Sequence, residues 1–119
     1  MNSSFSFSDN TVGFFIEGGI FNAERMERLI ENIVKKIDTY GKINLYLEDQ
    51  GVEHFTLLAV AKEIQFKIEH KKELNKVALV SDRKWIHACG KIVNLFLPIE
   101  VKSFDIGQRM EAISWITMH

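Results

Sequence analysis

Polar side chains that could do chemistry directly follow the apolar runs that are typical of buried strands. Glu48 and Asp49 follow one run, Ser81 and Asp82 follow another, and Asp105 follows the last. Ligands of open α/β sheets bind at the carboxyl ends of the strands, so these side chains are the first candidates for a site. Three carboxylates at one edge could bind a divalent cation, but the two later aspartates also stand where helix caps are expected. Capping is the preferred interpretation, and we predict neither a metal nor a cofactor.

The sequence carries no recognisable catalytic motif. Neither the phosphate-binding and dinucleotide-binding glycine patterns nor a G-x-S-x-G elbow occurs. The four histidines lack the spacing of a zinc site, and Cys89, the single cysteine, falls on the apolar face of a predicted helix as a small hydrophobe. We therefore predict a protein that is not an enzyme. An enzyme is kept as a third hypothesis, and its candidate residues are Glu48, Asp49, Asp82 and His54.

Composition points to a single globular domain that spans the whole chain. The 119 residues are 46% hydrophobic and 26% charged, enough to bury one core without disulfides. Lys plus Arg number 15 against 16 Asp plus Glu, so no strong positive field predicts a nucleic-acid partner. No segment approaches the roughly 20 apolar residues of a membrane span, and the N-terminal residues show no signal-peptide pattern. We expect a cytoplasmic protein.

Hydrophobic periodicity predicts the element order ββαβαβαβα. An N-terminal hairpin is expected to turn at Asp9-Asn10, and its second strand to end at Gly18-Gly19. Asn22 and Thr56 are expected to cap the first two helices. Further strands are predicted over residues 43–47, 76–80 and 100–104, and the helices over about 22–40, 56–69, 82–97 and 105–116. The fold class is therefore α/β, with about five mostly parallel strands in one sheet packed against about four helices.

The helix that follows residue 80 is apolar over more of its circumference than one sheet contact requires. Trp85 in its first turn is the best single candidate for a ligand contact. The predicted lining of an apolar ligand site is Trp85, Ile86, Phe96 and Trp115.

The second helix predicts a contact surface. Its apolar positions at helical spacing are expected to face the core, which leaves Phe66 on the opposite, polar side. The expected core stripe is Leu57, Val60, Ala61, Ile64 and Ile68. Together with Val93 and Leu97 of the next helix, Phe66 is the predicted interface, and a homodimer is the simplest partner. Another protein partner is the alternative.

Three segments carry a family resemblance: VALVSDRKWI, NLFLPIEVKSFD and MEAISWI. They resemble a small bacterial family whose fold is similar to the anti-sigma-factor antagonist SpoIIAA and to the wider STAS and SEC14-like domains. The strongest elements are Asp82 with Trp85, Pro98 with Phe104-Asp105, and Glu111-Ala112 with Trp115. The likeness covers nearly the whole chain and implies a SpoIIAA-like fold, whereas it implies little about function because members of this family are largely uncharacterised.

The resemblance also raises the question of a phosphosite. Anti-sigma antagonists carry a phosphorylatable serine in a D-S-x-G-type motif at the start of the second helix. The matching stretch here is QGVEHFTLL, in which Thr56 stands at the helix start without a preceding Asp or a following Gly. An N-cap is the preferred interpretation of Thr56 over a phosphosite.

Two functional hypotheses lead. The first is a non-enzymatic interaction or regulatory module of SpoIIAA-like fold that forms homodimers. The second is a carrier or sensor of a small apolar or lipid-like molecule.

Overall fold

The computed structural model describes the backbone of residues 3–8 and the whole of residues 10–118. Five strands form one sheet in the order β1-β2-β3-β4-β5, in which β2 to β5 run parallel and β1 pairs antiparallel with β2. Asp9, part of the predicted Asp9-Asn10 turn, lies outside the described residues. The strands are β1 Ser3–Ser8, β2 Thr11–Phe21, β3 Ile43–Phe55, β4 Leu74–Val80 and β5 Glu100–Phe104. The helices are α1 Ala23–Tyr40, α2 Leu57–Glu69, α3 Lys84–Phe96 and α4 Arg109–Thr117, and a 3-10 turn at Ile106–Gln108 precedes α4.

The helices cover both faces of the sheet, which confirms the predicted α/β class. Side chains of a strand alternate between the faces. In β3, Leu45 and Leu47 join the core beneath α1, α2 and α3, whereas Tyr46 lies in the smaller core beneath α4. Strand β4 is buried on both faces from Val77 to Val80, as its continuous apolar run predicts for a central parallel strand.

Strands β2 and β3 run past the point at which the sequence predicts their ends. The expected stop at Gly18-Gly19 is wrong, because β2 continues to Phe21 and pairs with β3 as far as Phe55. Gly19 has a φ of 78° and the register shifts just after it, so the glycine accommodates an irregularity within the strand. The two strands therefore project beyond β4 as a ribbon.

Two predicted helix caps are confirmed. The Asn22 carboxamide oxygen accepts a hydrogen bond from the backbone N–H of Arg25 at 3.0 Å. The Thr56 hydroxyl accepts one from the backbone N–H of Ala59 at 3.2 Å. Thr56 thus performs the capping role, which is the interpretation preferred over a phosphosite.

The caps after β4 and β5 differ in part from expectation. Asp105 is a cap as predicted, and with Gln108 it forms a capping box in which the Gln108 carboxamide accepts from the Asp105 backbone N–H at 3.0 Å. Helix α3 begins after Arg83, whose backbone N–H donates to the Ser81 hydroxyl at 3.1 Å. The Asp82 carboxylate caps the 3-10 turn that precedes α4 instead of α3, by accepting its first backbone N–H at 3.0 Å.

Helix α2 is rotated relative to the prediction. Phe66 is only 5% exposed and belongs to the main core together with Ala59, so its assignment to a free surface is wrong. Leu57, assigned to the core, is 89% exposed. The helix is apolar on two faces, and packing against α1 and the sheet selects the face with Ala59 and Phe66. The exposed apolar residues of the other face are Leu57, Ala61, Ile64 and Ile68.

The other two predicted interface residues, Val93 and Leu97, are also not exposed on the surface. Val93 is 7% exposed within the main core, and Leu97 is half-buried against that core. Both pack beneath α3 because this helix turns them toward the sheet.

Within residues 10–118, no helix combines the length and apolar character needed to cross a membrane.

Candidate apolar binding site

A cavity of about 80 Å³ lies at the carboxyl edge of the sheet, beneath α2 and α3. Its floor is the apolar face of β2, β3 and β4, and α1 closes its far side. The lining is mostly aliphatic and aromatic. The residues that line it are Ile16, Met26, Leu29, Leu47, Asp49, Phe55, Val60, Glu63, Lys67, Leu79, Val80, Ser81, Trp85, Ile86 and Cys89.

Two aromatic side chains of the cavity wall, Phe55 and Trp85, contact each other, and Arg83 packs against one of them. Trp85 meets the edge of the Phe55 ring, with centroids 5.4 Å apart and planes at 79°. The Arg83 guanidinium lies over the Phe55 ring, 5.1 Å from its centroid. Phe55 is at the end of the β2–β3 ribbon, so the unpredicted length of that ribbon supplies one wall of the cavity. Trp85 is 41% exposed and therefore contacts both the cavity and solvent.

The Asp49 carboxylate lies in the cavity wall with its charge compensated. One oxygen accepts from the Val52 backbone N–H at 3.0 Å, and the other accepts from the Ser81 hydroxyl at 2.9 Å and from Arg83 Nε at 3.0 Å. The Arg83 guanidinium also donates to the backbone carbonyl of Val52. This network joins the middle of β3 and the end of β4 to the start of α3.

Glu63 and Lys67, one turn apart in α2, form a salt bridge in the same wall. The Lys67 side chain is 3% exposed, whereas that of Glu63 is 22% exposed and keeps contact with solvent. Lysines are rarely buried to this extent unless they are paired, as Lys67 is with Glu63.

A second polar network occupies the opposite face of the sheet, beneath α4. The fully buried Glu48 carboxylate accepts from Tyr46 Oη at 2.5 Å, from Gln50 Nε2 at 2.9 Å and from Arg109 at two points. Burial raises the pKa of Glu48, but these hydrogen bonds outweigh it and hold that pKa below its ordinary value. Burial and the hydrogen bond to Glu48 raise the pKa of Tyr46.

The structure brings together only part of the predicted ligand site. Trp85 and Ile86 line the cavity as predicted. Phe96 and Trp115 are absent from its wall. Phe96 is 77% exposed near the end of α3, and Trp115 packs against Phe104 on the opposite face of the sheet, with ring centroids 6.1 Å apart. The predicted four-residue site is therefore wrong in half of its members.

The residues of the enzyme hypothesis do not converge. Glu48 and Asp49 are consecutive in β3, so their side chains point to opposite faces of the sheet. Asp82 is exposed and caps the 3-10 turn, and His54 is exposed on the ribbon. Among residues 10–118, no three His, Cys, Asp or Glu side chains are grouped as they would be around a metal ion.

Sequence reasoning missed the basic residues of both networks. Arg83 and Arg109 contact carboxylates 34 and 61 positions earlier in the chain. Nothing in the local sequence distinguishes them from solvated surface charges. Lys67 carries a weak signal, because it lies one position after Phe66 and four after Glu63 on a helix that is apolar on two sides.

The structure defines a small parallel α/β domain with three helices on one face of the sheet, one on the other, and an apolar cavity at the carboxyl edge. The family model described as SpoIIAA-like matches residues 11–117, so the chain belongs to the SpoIIAA-like family and the predicted resemblance is confirmed. No curated protein matches the sequence.

A solved structure supports the same fold. The chain is similar to an uncharacterised protein of the DUF3478 family with a SpoIIAA-like fold from Shewanella loihica PV-4. The TM-score is 0.75 at 18% identity, and the match covers 98% of this chain and 92% of that one. An identity this low supports the fold alone.

Proposed function

We propose that this SpoIIAA-like domain binds a small apolar ligand in the cavity beneath α2 and α3 and catalyses no reaction. The cavity is the observation that carries the proposal. Its volume of about 80 Å³ is lined almost entirely by apolar side chains and is open to solvent beside Trp85. A ligand whose apolar body enters it removes apolar surface of both partners from water, which favours binding. The carboxyl edge of a parallel sheet is also the usual place for a ligand in this class of fold.

The half-exposed Trp85 makes occupation of the cavity measurable. In a Trp115→Phe background, Trp85 is the single tryptophan, and its fluorescence should change as octan-1-ol or toluene fills the cavity. Mass spectrometry of the gently purified protein under native conditions would report any ligand that the protein retains. We expect saturable binding of the neutral probes.

A matched pair of variants in α3 tests the location. Ile86 lines the cavity, and Ile86→Phe should fill part of it and lower the octan-1-ol affinity by about tenfold. Leu95, in the same helix, is 78% exposed and outside the lining, so Leu95→Phe should leave the affinity unchanged. No saturable binding of either neutral probe would refute the proposal.

Self-association is the second candidate function, favoured by exposed apolar residues on two helices. In α2, Leu57, Ile64 and Ile68 recur at helical spacing and are all exposed. Ile92, Leu95 and Phe96 form a comparable exposed set in α3. A second copy of this chain is the partner that we propose for these two exposed sets, in place of the interface predicted at Phe66, Val93 and Leu97.

Sedimentation equilibrium tests this candidate with substitutions on one helix. Ile64→Glu should weaken the dimer, because it places a charge within the apolar surface. Gln65→Glu, at the neighbouring exposed position, adds the same charge outside the stripe and should leave the mass unchanged. A monomeric wild-type protein would contradict self-association.

A further inference from the structure

Lys67 lines a largely apolar cavity, and its ammonium has unused hydrogen-bonding capacity. An ammonium group carries three N–H donors. In the part of the chain that the structure describes, its ion-pair partner is a single carboxylate oxygen of Glu63. The Lys67 side chain is 3% exposed, so bulk solvent does not supply acceptors for its other donors. Those donors require an acceptor inside the cavity.

The other charges of the wall do not compete for a ligand's charged group. Both oxygens of Asp49 already accept hydrogen bonds, and the Arg83 guanidinium balances its charge. Glu63 is the only other charged side chain in the described lining, and it is paired with Lys67 while it still contacts solvent. Glu63 balances the charge of Lys67, so what the cavity leaves unused is N–H donors on the Lys67 ammonium.

We propose that the ligand is an amphipathic carboxylic acid, whose alkyl or aryl body fills the cavity and whose carboxylate accepts hydrogen bonds from Lys67. This inference rests on the proposed function and specifies its ligand class. The apolar body of the ligand packs against Leu47, Leu79 and Ile86. The ligand carboxylate and the Glu63 carboxylate both accept hydrogen bonds from the Lys67 ammonium. Charge-assisted hydrogen bonds of this kind are stronger than neutral ones.

Three probes with the same alkyl chain test the inference: octanoate, octan-1-ol and octylamine, titrated at neutral pH by calorimetry. In a purely apolar cavity octanoate would bind more weakly than octan-1-ol, because its carboxylate would be desolvated without compensation. With Lys67 as its partner, octanoate should bind about tenfold more tightly than octan-1-ol, and octylamine should bind most weakly.

Substitutions in α2 locate the effect. Lys67→Met should reverse the order of octanoate and octan-1-ol. The control is Lys62→Met, in the same helix, because Lys62 pairs with Glu27 of α1 at 2.7 Å and does not line the cavity. That variant should keep the wild-type preference. Glu63→Gln should raise the octanoate affinity, since it releases one Lys67 donor and removes a nearby negative charge. This variant tests the contact between Lys67 and the ligand carboxylate even if Lys67→Met does not fold.

The outcomes separate the inference from the proposed function. Binding of octan-1-ol at least as tight as that of octanoate to the wild-type protein would overturn the carboxylate assignment and leave the apolar site standing. An octanoate preference that survives in Lys67→Met would overturn the role of Lys67. Failure of all three probes to bind would overturn the proposed function and this inference together.

Discussion

Arg109, at the start of α4, forms two hydrogen bonds with the buried carboxylate of Glu48 in β3, with Nε–Oε1 and Nη2–Oε2 distances of 2.8 and 2.7 Å. The two residues are 61 positions apart, and their contact attaches the last helix to the sheet. Tyr46 and Gln50 complete the hydrogen bonds of the same carboxylate. Glu48, suggested by its place at a strand end as a candidate for chemistry, instead stabilises the packing of α4.

Removal of this contact should destabilise the protein. Arg109→Met leaves a carboxylate fully buried without its cationic partner, and the free energy of unfolding should fall by about 2–3 kcal/mol, less than for a wholly buried pair because Arg109 is half-exposed. The control is Arg28→Met, which breaks a largely exposed pair with Glu24 in α1 and should cost under about 0.5 kcal/mol. Urea unfolding of the two variants measures both changes, and equal effects would contradict this role.

The lowered pKa of Glu48 predicts acid sensitivity. Below its ordinary pKa of 4.5, the unfolded chain takes up a proton at this residue before the folded protein does. The stabilisation from Glu48 is therefore complete above that pKa and is lost as the pH falls through the lower pKa of the folded state. Urea unfolding at about pH 7 and about pH 3 should show a smaller drop for Glu48→Gln than for the wild-type protein. Equal drops would exclude Glu48 as a source of the pH dependence.

The orientation of α2 can be tested with one buried and one exposed residue of the same helix. Phe66→Ala should lower the free energy of unfolding by about 3–5 kcal/mol, because it opens a cavity in the main core. Leu57→Ala removes a side chain that is 89% exposed and should change stability by under about 0.5 kcal/mol. The reverse ranking in thermal or urea unfolding would show that the helix packs through its other apolar face.

Close packing of α3 on the sheet depends on Gly90. A Cβ at this position would lie 3.0 Å from Ser103 Oγ and 3.1 Å from Val101 Cγ1. Gly90→Ala should therefore cost about 1–3 kcal/mol through overpacking. Gly107→Ala, where a Cβ would meet nothing within 4 Å, should be neutral or stabilising by up to about 1 kcal/mol. A stabilising effect of Gly90→Ala in differential scanning calorimetry would contradict the close approach.

Asn94 attaches α3 to the outer edge of β5. Its carboxamide donates to the Val101 carbonyl at 2.5 Å and accepts from the Val101 N–H at 2.6 Å. Strand β5 is last in the sheet order, so this side chain occupies backbone groups of an edge strand. Asn94→Ala should cost about 1–3 kcal/mol and increase amide hydrogen exchange at Val101. Asn75→Ala removes an exposed hydrogen bond to Asn44 and should leave that exchange rate unchanged.

Local signals in the sequence predicted the elements whose patterns have a single interpretation. The apolar periodicity of α1, its Asn22 cap, the apolar run of β4 and the cap at Asp105 all recur in the structure. Each depends on residues within a few positions of one another, so a short stretch of chain contains the necessary information. The family resemblance then added the fold.

The sequence by itself therefore determined the α/β class, most elements and two of the cavity residues, Trp85 and Ile86. Tertiary structure decided the rest. Helix α2 has two apolar faces of similar quality, and packing against α1 and the sheet decided which one is buried. The length of the β2–β3 ribbon depends on pairing between two strands, which neither strand encodes alone. The Glu63–Lys67 pair is local to α2, whereas the arginine partners of Asp49 and Glu48 depended on which helix met which strand, because ion pairs across a fold form only after packing has brought distant segments together.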